Sequence, residues 1–140
     1  VSQNRDSGVD APVGEGFKPG TASTTYLVEG ILLLQTAVTT SAPTCGMGWP
    51  TGTNDGAGTA LAGVNTTAGL QGNGSPAGGN FLSGAGTAGA ANRSWPCLLS
   101  ALFGMSAVPS GTFQFMWGAE TAGTNATVKK DSFLRYRTLP

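Results

Sequence analysis

The chain contains no histidine. That removes the commonest general base, the usual activator of a catalytic serine or cysteine, and the commonest metal-binding side chain. Charge is scarce as well. Seven basic and seven acidic residues make up 10% of the sequence and cancel to zero net charge, against roughly 25% charged residues in an ordinary soluble domain. A nucleic-acid-binding surface needs a basic footprint, and no Lys/Arg stripe is present. The small cluster Lys129, Lys130, Arg135 and Arg137 reads as solvent-facing strand residues. No apolar run approaches the ~18 residues needed to span a bilayer, and the polar opening Val1 to Asp10 carries no signal-peptide pattern. These shortages argue against an enzyme, a nucleic-acid partner and a membrane partner alike.

The acids that are present do not form a catalytic or metal-binding pattern. They stand far apart, at positions 6, 10, 15, 29, 55, 120 and 131, with nothing to favour a glycosidase pair. Asn54-Asp55-Gly56 reads as a turn rather than a calcium loop. Gly72-Asn73-Gly74 lacks the Gly-Lys-Ser/Thr continuation of a phosphate-binding loop. No catalytic residue, cofactor site or metal site is assigned. Two cysteines, Cys45 and Cys97, are too few for a disulfide framework. They read first as free, buried small hydrophobes, with a disulfide as the alternative and a functional thiol behind it. Asn65-Thr66-Thr67, Asn92-Arg93-Ser94 and Asn125-Ala126-Thr127 match the glycosylation triplet, and read as chance matches in a chain this rich in Asn, Thr and Ser.

Glycine, by contrast, is abundant, at 23 of 140 residues. A chain of this length suits one domain with one modest core. Its sparse charge implies a surface solvated by Thr, Ser, Asn and Gln, or covered by neighbouring subunits, so an assembled protein is expected. Residues 1–20 read as an extended arm, because Pro12 and Pro19 and the glycines between them break regular structure. The arm holds Arg5, Asp6, Asp10, Glu15 and Lys18, and Phe17 is a lone aromatic that could anchor it to a neighbour.

Residues 21–140 read as an all-β domain. Thr24 to Thr36 (TTYLVEGILLLQT) has strand composition. Tyr26, Val28, Leu32 and Leu34 share one face, and Leu27, Ile31 and Leu33 the other. Both faces are largely apolar, so this strand is expected to be central or covered on both sides, with Gly30 a candidate bulge or bend. Residues 51–92 read as a glycine-rich loop excursion, with weak strand candidates at 59–64 and 80–82. Cys97 to Ala107 reads as strand or short helix. Pro109-Ser110-Gly111 is turn chemistry. Thr112 to Ala119 alternates cleanly, with Phe113, Phe115 and Trp117 on one face. A turn at 120–124, a short strand at 124–129, a further turn at Lys130-Asp131 and an alternating strand at 132–139 complete a strong C-terminal strand pair. Strands at this spacing indicate an antiparallel sandwich or jelly roll. Trp49 and Trp95, each followed by proline, read as core or interface packing, with ligand stacking as the alternative.

The order TTYLVEGILLL, GMGWPTG, a glycine-rich middle, and PSGTFQFMWGAETAGTNATVKKDSFLRYRTL resembles small all-β proteins encoded among the structural genes of tailed bacteriophages. The resemblance covers residues 17–140. It departs at Lys130-Asp131, where a glycine turn is expected, and at the cysteine pair, to which it gives no role. It implies a jelly roll of the tumour-necrosis-factor type, often trimeric, acting as a capsid cement (decoration) protein or as a receptor- or glycan-binding fibre tip. A cement protein would sit on the outer capsid surface of the virion, bind the major capsid protein and form a homo-oligomer, a trimer ahead of a dimer. The residues expected at its partner contacts are Arg5, Asp6, Phe17 and Lys18 in the arm, and Trp49 and Trp95.

Overall fold

A computed structural model describes residues 3–6, 11–12, 19, 22–63, 69–74, 81–82, 90–119, 121 and 124–140. The described elements are strands, in chain order β1 (Gln3–Asp6), β2 (Ala11–Pro12), β3 (Thr25–Thr36), β4 (Pro43–Gly48), β5 (Thr51–Gly63), β6 (Gly69–Gly74), β7 (Phe81–Leu82), β8 (Trp95–Ser110), β9 (Gln114–Ala119), β10 (Asn125–Val128) and β11 (Phe133–Leu139). They form a seven-stranded sheet ordered β1-β10-β3-β8-β5-β6, with β11 also on β3, and a four-stranded sheet ordered β2-β9-β4-β7. Every pairing is antiparallel. The all-β sandwich expected from the strand spacing is what forms, and no described helix is long and apolar enough to cross a membrane.

β3 is the spine of the larger sheet, and its alternation sets the layering. Tyr26, Val28, Leu32 and Leu34 are buried, while Leu27, Glu29, Ile31 and Leu33 are half-buried on the opposite side. Its neighbour β8 repeats the pattern: Trp95, Cys97, Leu99, Ala101, Phe103 and Met105 point inward, and Leu98, Ser100 and Leu102 point out. Residues 97–107 are therefore strand, not helix. From the smaller sheet, Phe113, Phe115 and Trp117 enter the same core. Phe103 stacks on Phe113 at 5.2 Å, and Phe113 meets Phe115 edge-on at 5.8 Å. Gly30 neither bends nor divides β3; it lies under the Phe115 ring.

Three expectations about strand placement and pairing are corrected. The first concerns residues 51–92, whose described parts are not an excursion. β5 runs 13 residues between β8 and β6, and β6 and β7 extend the two sheets. The Asn54-Asp55-Gly56 turn falls inside β5, near its register irregularities. Small inward residues explain the placement: Gly58, Ala60 and Ala62 are buried where β5 passes under Met47 and Trp49, and a Cβ at Gly58 would lie 2.6 Å from the Met47 sulfur. The second correction is that β9 and β11 are not a pair. β9 bonds to β4 in one sheet and β11 to β3 in the other. The third is that Lys130-Asp131 does not reverse the chain. β10 and β11 follow one another along the same edge of β3, β10 on residues 34–36 and β11 on 25–31.

The join between β10 and β11 is a local bulge with its own hydrogen bonds. Lys129 N donates to Leu33 O at 2.8 Å, and Leu33 N donates to the Ser132 hydroxyl at 2.9 Å. The side-chain oxygen of Ser132 thus takes the ladder bond that the bulged backbone leaves open. Ser132→Ala is expected to cost about 1 kcal/mol of stability and to speed amide exchange at Leu33 selectively; unchanged exchange there would show that water serves equally well.

The cysteines pair. A disulfide joins Cys45 of β4 to Cys97 of β8, with Cα atoms 6.6 Å apart, so the covalent link crosses from one sheet to the other. The reading of a free, buried pair is replaced by a bridge. The small Ala62 beside Cys97 leaves room for the close approach.

Candidate interaction site

The outer face of the larger sheet is where the layering leaves apolar side chains in solvent. Register places them in rows across β5, β8, β3 and β11. One row is Leu61, Leu98, Ile31 and Phe133. The next is Thr59, Ser100, Glu29 and Arg135, and the third is Ala57, Leu102, Leu27 and Arg137. Leu61 is 40% exposed, Leu98 49%, Leu102 48% and Phe133 47%. A single exposed leucine means little, but a contiguous apolar row does.

Between the first two rows lies a groove of ≈ 350 Å³, lined by Gly30, Leu61, Leu98, Ser100 and Phe133 among others. At its polar margin Arg135 Nη2 sits 3.0 Å from Glu29 Oε2, and Arg135 Nε donates to the same oxygen at 3.1 Å. Both side chains are well exposed, 71% and 42%, so the pair contributes at most about 1 kcal/mol to folding. Its larger effect is to fix the position of one acid and one base on an otherwise apolar face. Among the described residues, no group of three or more His, Cys, Asp and Glu side chains could hold a metal ion.

The residues singled out in the sequence are not brought together. Arg5 and Asp6 lie in β1, where their backbones pair with Ala126 and Asn125 of β10. This part of the arm is an edge strand of its own sheet rather than a free extension. Phe17 and Lys18 lie outside the described residues. Trp95 is 6% exposed, with the Arg93 guanidinium carbon 4.8 Å from its ring centroid. Trp49 is half-buried and packs edge-on against Phe103 and Phe113. Neither indole presents an open platform, and the packing reading, not the ligand-stacking alternative, describes both.

Sequence reasoning passed over the exposed row even though its residues were in view. The outward parity of β3, Leu27, Ile31 and Leu33, reads as buried on both sides, yet these side chains are only half-buried. The same holds for Leu98 and Leu102 in CLLSALFGMSA. An apolar outward parity on two adjacent strands was the available signal. Compared with known protein families, curated proteins and solved structures, the chain matches none.

Proposed function

We propose that the chain is a non-enzymatic virion structural protein, a capsid cement protein of jelly-roll type that sits on the outer capsid surface and bridges subunits of the major capsid protein. The observation that carries the reading is the apolar row of exposed Leu61, Leu98 and Phe133 with half-buried Ile31, on a protein with few charges. Such a face favours a protein partner over solvent. The sequence resemblance to phage structural proteins supplies the kind of assembly. The disulfide between the sheets agrees with it, since such bonds persist at virion surfaces and other oxidising sites.

Shell stabilisation needs no chemistry at a reacting centre. Each contact buries apolar surface and backbone groups, and several contacts on a repeating lattice add through effective concentration. The module must be rigid to transmit that restraint, and the cross-sheet disulfide with its aromatic core supplies rigidity. The buried Trp95 and the half-buried, core-packed Trp49 give no support to a glycan-binding tip.

The test is to add the purified protein to shells stripped of it, then measure occupancy and rupture temperature. Saturable binding at lattice stoichiometry with a raised rupture temperature is expected. Absence of shell binding, with saturable attachment to host cells or a glycan array, would replace this reading with the fibre-tip one.

A further inference from the structure

We propose that the outer face of the larger sheet is the contact between two copies of this chain, related by a two-fold axis that runs parallel to the strands between β8 and β3. The proposal rests on the reading of the protein as an assembly module, and goes further by naming the occupant of the exposed face.

Two ways of centring the face on its own copy keep the strands aligned, as packed sheets prefer. An axis perpendicular to the strands sets the Thr59–Ser100–Glu29–Arg135 row on itself, so that Glu29 meets Glu29 and Arg135 meets Arg135. Like charges would then oppose each other at the centre of the contact. An axis parallel to the strands, between β8 and β3, sets each row on itself in reverse order. Leu98 then faces Ile31 of the second copy, Leu61 faces Phe133, and Leu102 faces Leu27. In the middle row the Ser100 hydroxyl faces the other copy's Glu29, and Thr59 faces its Arg135. Across these three rows Leu61, Leu98, Leu102, Leu27, Ile31 and Phe133 meet apolar groups, Glu29 and Arg135 meet hydroxyls, Arg137 meets Ala57, and no like charges are opposed. Of the two orientations, this is the one that opposes no like charges.

Its size is sufficient. Ten paired residues along β3 and β8, at a rise of ~3.4 Å, and four strands at ~4.8 Å spacing give about 650 Å² per copy. Two copies bury about 1,300 Å², within the roughly 1,200–2,000 Å² of stable protein pairs. Pairing would also give β3 the second apolar cover that its sequence pattern calls for.

Sedimentation velocity of the full chain at micromolar concentration should show a dimer. Leu98→Asp puts two unpaired charges into the contact and should raise the dissociation constant at least ~100-fold, while far-UV circular dichroism and melting temperature stay close to the parent's because the side chain points outward. Thr59 tests the orientation. Within one chain it is separated from Arg135 by β8 and β3, but across the axis it faces Arg135. Thr59→Glu should therefore tighten the pair about fivefold and Thr59→Arg should loosen it about as much. A parent that stays monomeric, or a trimer or other oligomer that survives Leu98→Asp, overturns the proposal. Shifts of the same sign for both Thr59 variants overturn the axis. The shell assay separates the two readings: a monomer that still binds shells sinks only the pairing, and a dimer that binds none sinks only the cement function.

Discussion

Replacing Cys45 and Cys97 together with alanine is expected to lower the free energy of unfolding by about 4 kcal/mol. The bond closes a loop of 52 residues, and the loss of that restraint frees the denatured chain by about this amount in the chain-entropy account. For a chain of this length the melting temperature should fall by roughly 12 °C. Both residues are fully buried, so the thiols freed by reduction have no route to solvation in the native state. Unmodified protein melted in reductant should behave like the double variant. Thiol titration of the denatured, unreduced protein should detect none. Coincident melting of the oxidised and reduced forms would remove the bridge from the stability of the fold. Of all the interactions described, this one ties the two sheets covalently, Cys45 between Gly46 and Thr44 on β4 and Cys97 between Ala62 and Leu32 across the larger sheet.

The strands that could be read from the sequence are those whose inward side chains are large. Tyr26, Val28, Leu32 and Leu34 on β3, and Phe113, Phe115 and Trp117 approaching and within β9, show a period of two with high strand propensity. Their burial follows from that pattern. What the pattern does not encode is which strands become neighbours. Residues 112–119 and 132–139 are close in sequence and alike in composition, yet they enter different sheets. The period of two gives the face of a side chain, and register with a distant strand gives the sheet. The bulge at 129–132 shows the same limit. Lys130-Asp131 has turn chemistry, but Ser132 returns the chain to the same edge of β3 through its hydroxyl.

β5 is legible only as the weak strand candidate at 59–64, for a different reason. Its inward residues are Gly58, Ala60 and Ala62, which carry almost no strand propensity and little apolar area. Ladder pairing to β8 on one side and β6 on the other holds it in place, and the need for small groups beneath Met47, Trp49 and the disulfide selects those residues. Tertiary context outweighs local preference there. The interaction face was half legible: its residues were visible as an apolar parity, but whether anything covers that parity is decided by the whole fold. The two tryptophans pack in and against the core, as their first reading has it, although a large aromatic beside a proline looks the same in sequence whether it lies in the core or outside it.

Gly30→Ala is expected to destabilise the protein by about 3 kcal/mol, at the upper end of the overpacking range. In an ordinary strand the same change is slightly favourable, because glycine loses more backbone freedom on folding than alanine does. The sign of the effect is therefore diagnostic. A Cβ at Gly30 would overlap Phe115 Cε2 and lie 2.6 Å from the Phe133 carbonyl oxygen. The ring cannot easily move aside. Phe115 is fully buried and abuts Phe113, which stacks on Phe103, which in turn stacks on Tyr26 at 5.5 Å. Nor can the carbonyl retreat without loosening the β3–β11 ladder, in which Leu134 pairs with Gly30. Trimming the ring should relieve the first clash, so Gly30→Ala combined with Phe115→Leu should cost at least ~1 kcal/mol less than the sum of the two single changes. Additive costs, or a stabilised Gly30→Ala variant, would mean that the two sheets do not approach closely at this point. The position also links core to surface. Phe133, whose carbonyl faces Gly30, contributes the last side chain of the exposed row, so a shift of β11 that accommodates the new methyl should weaken pairing of the face as well as the fold.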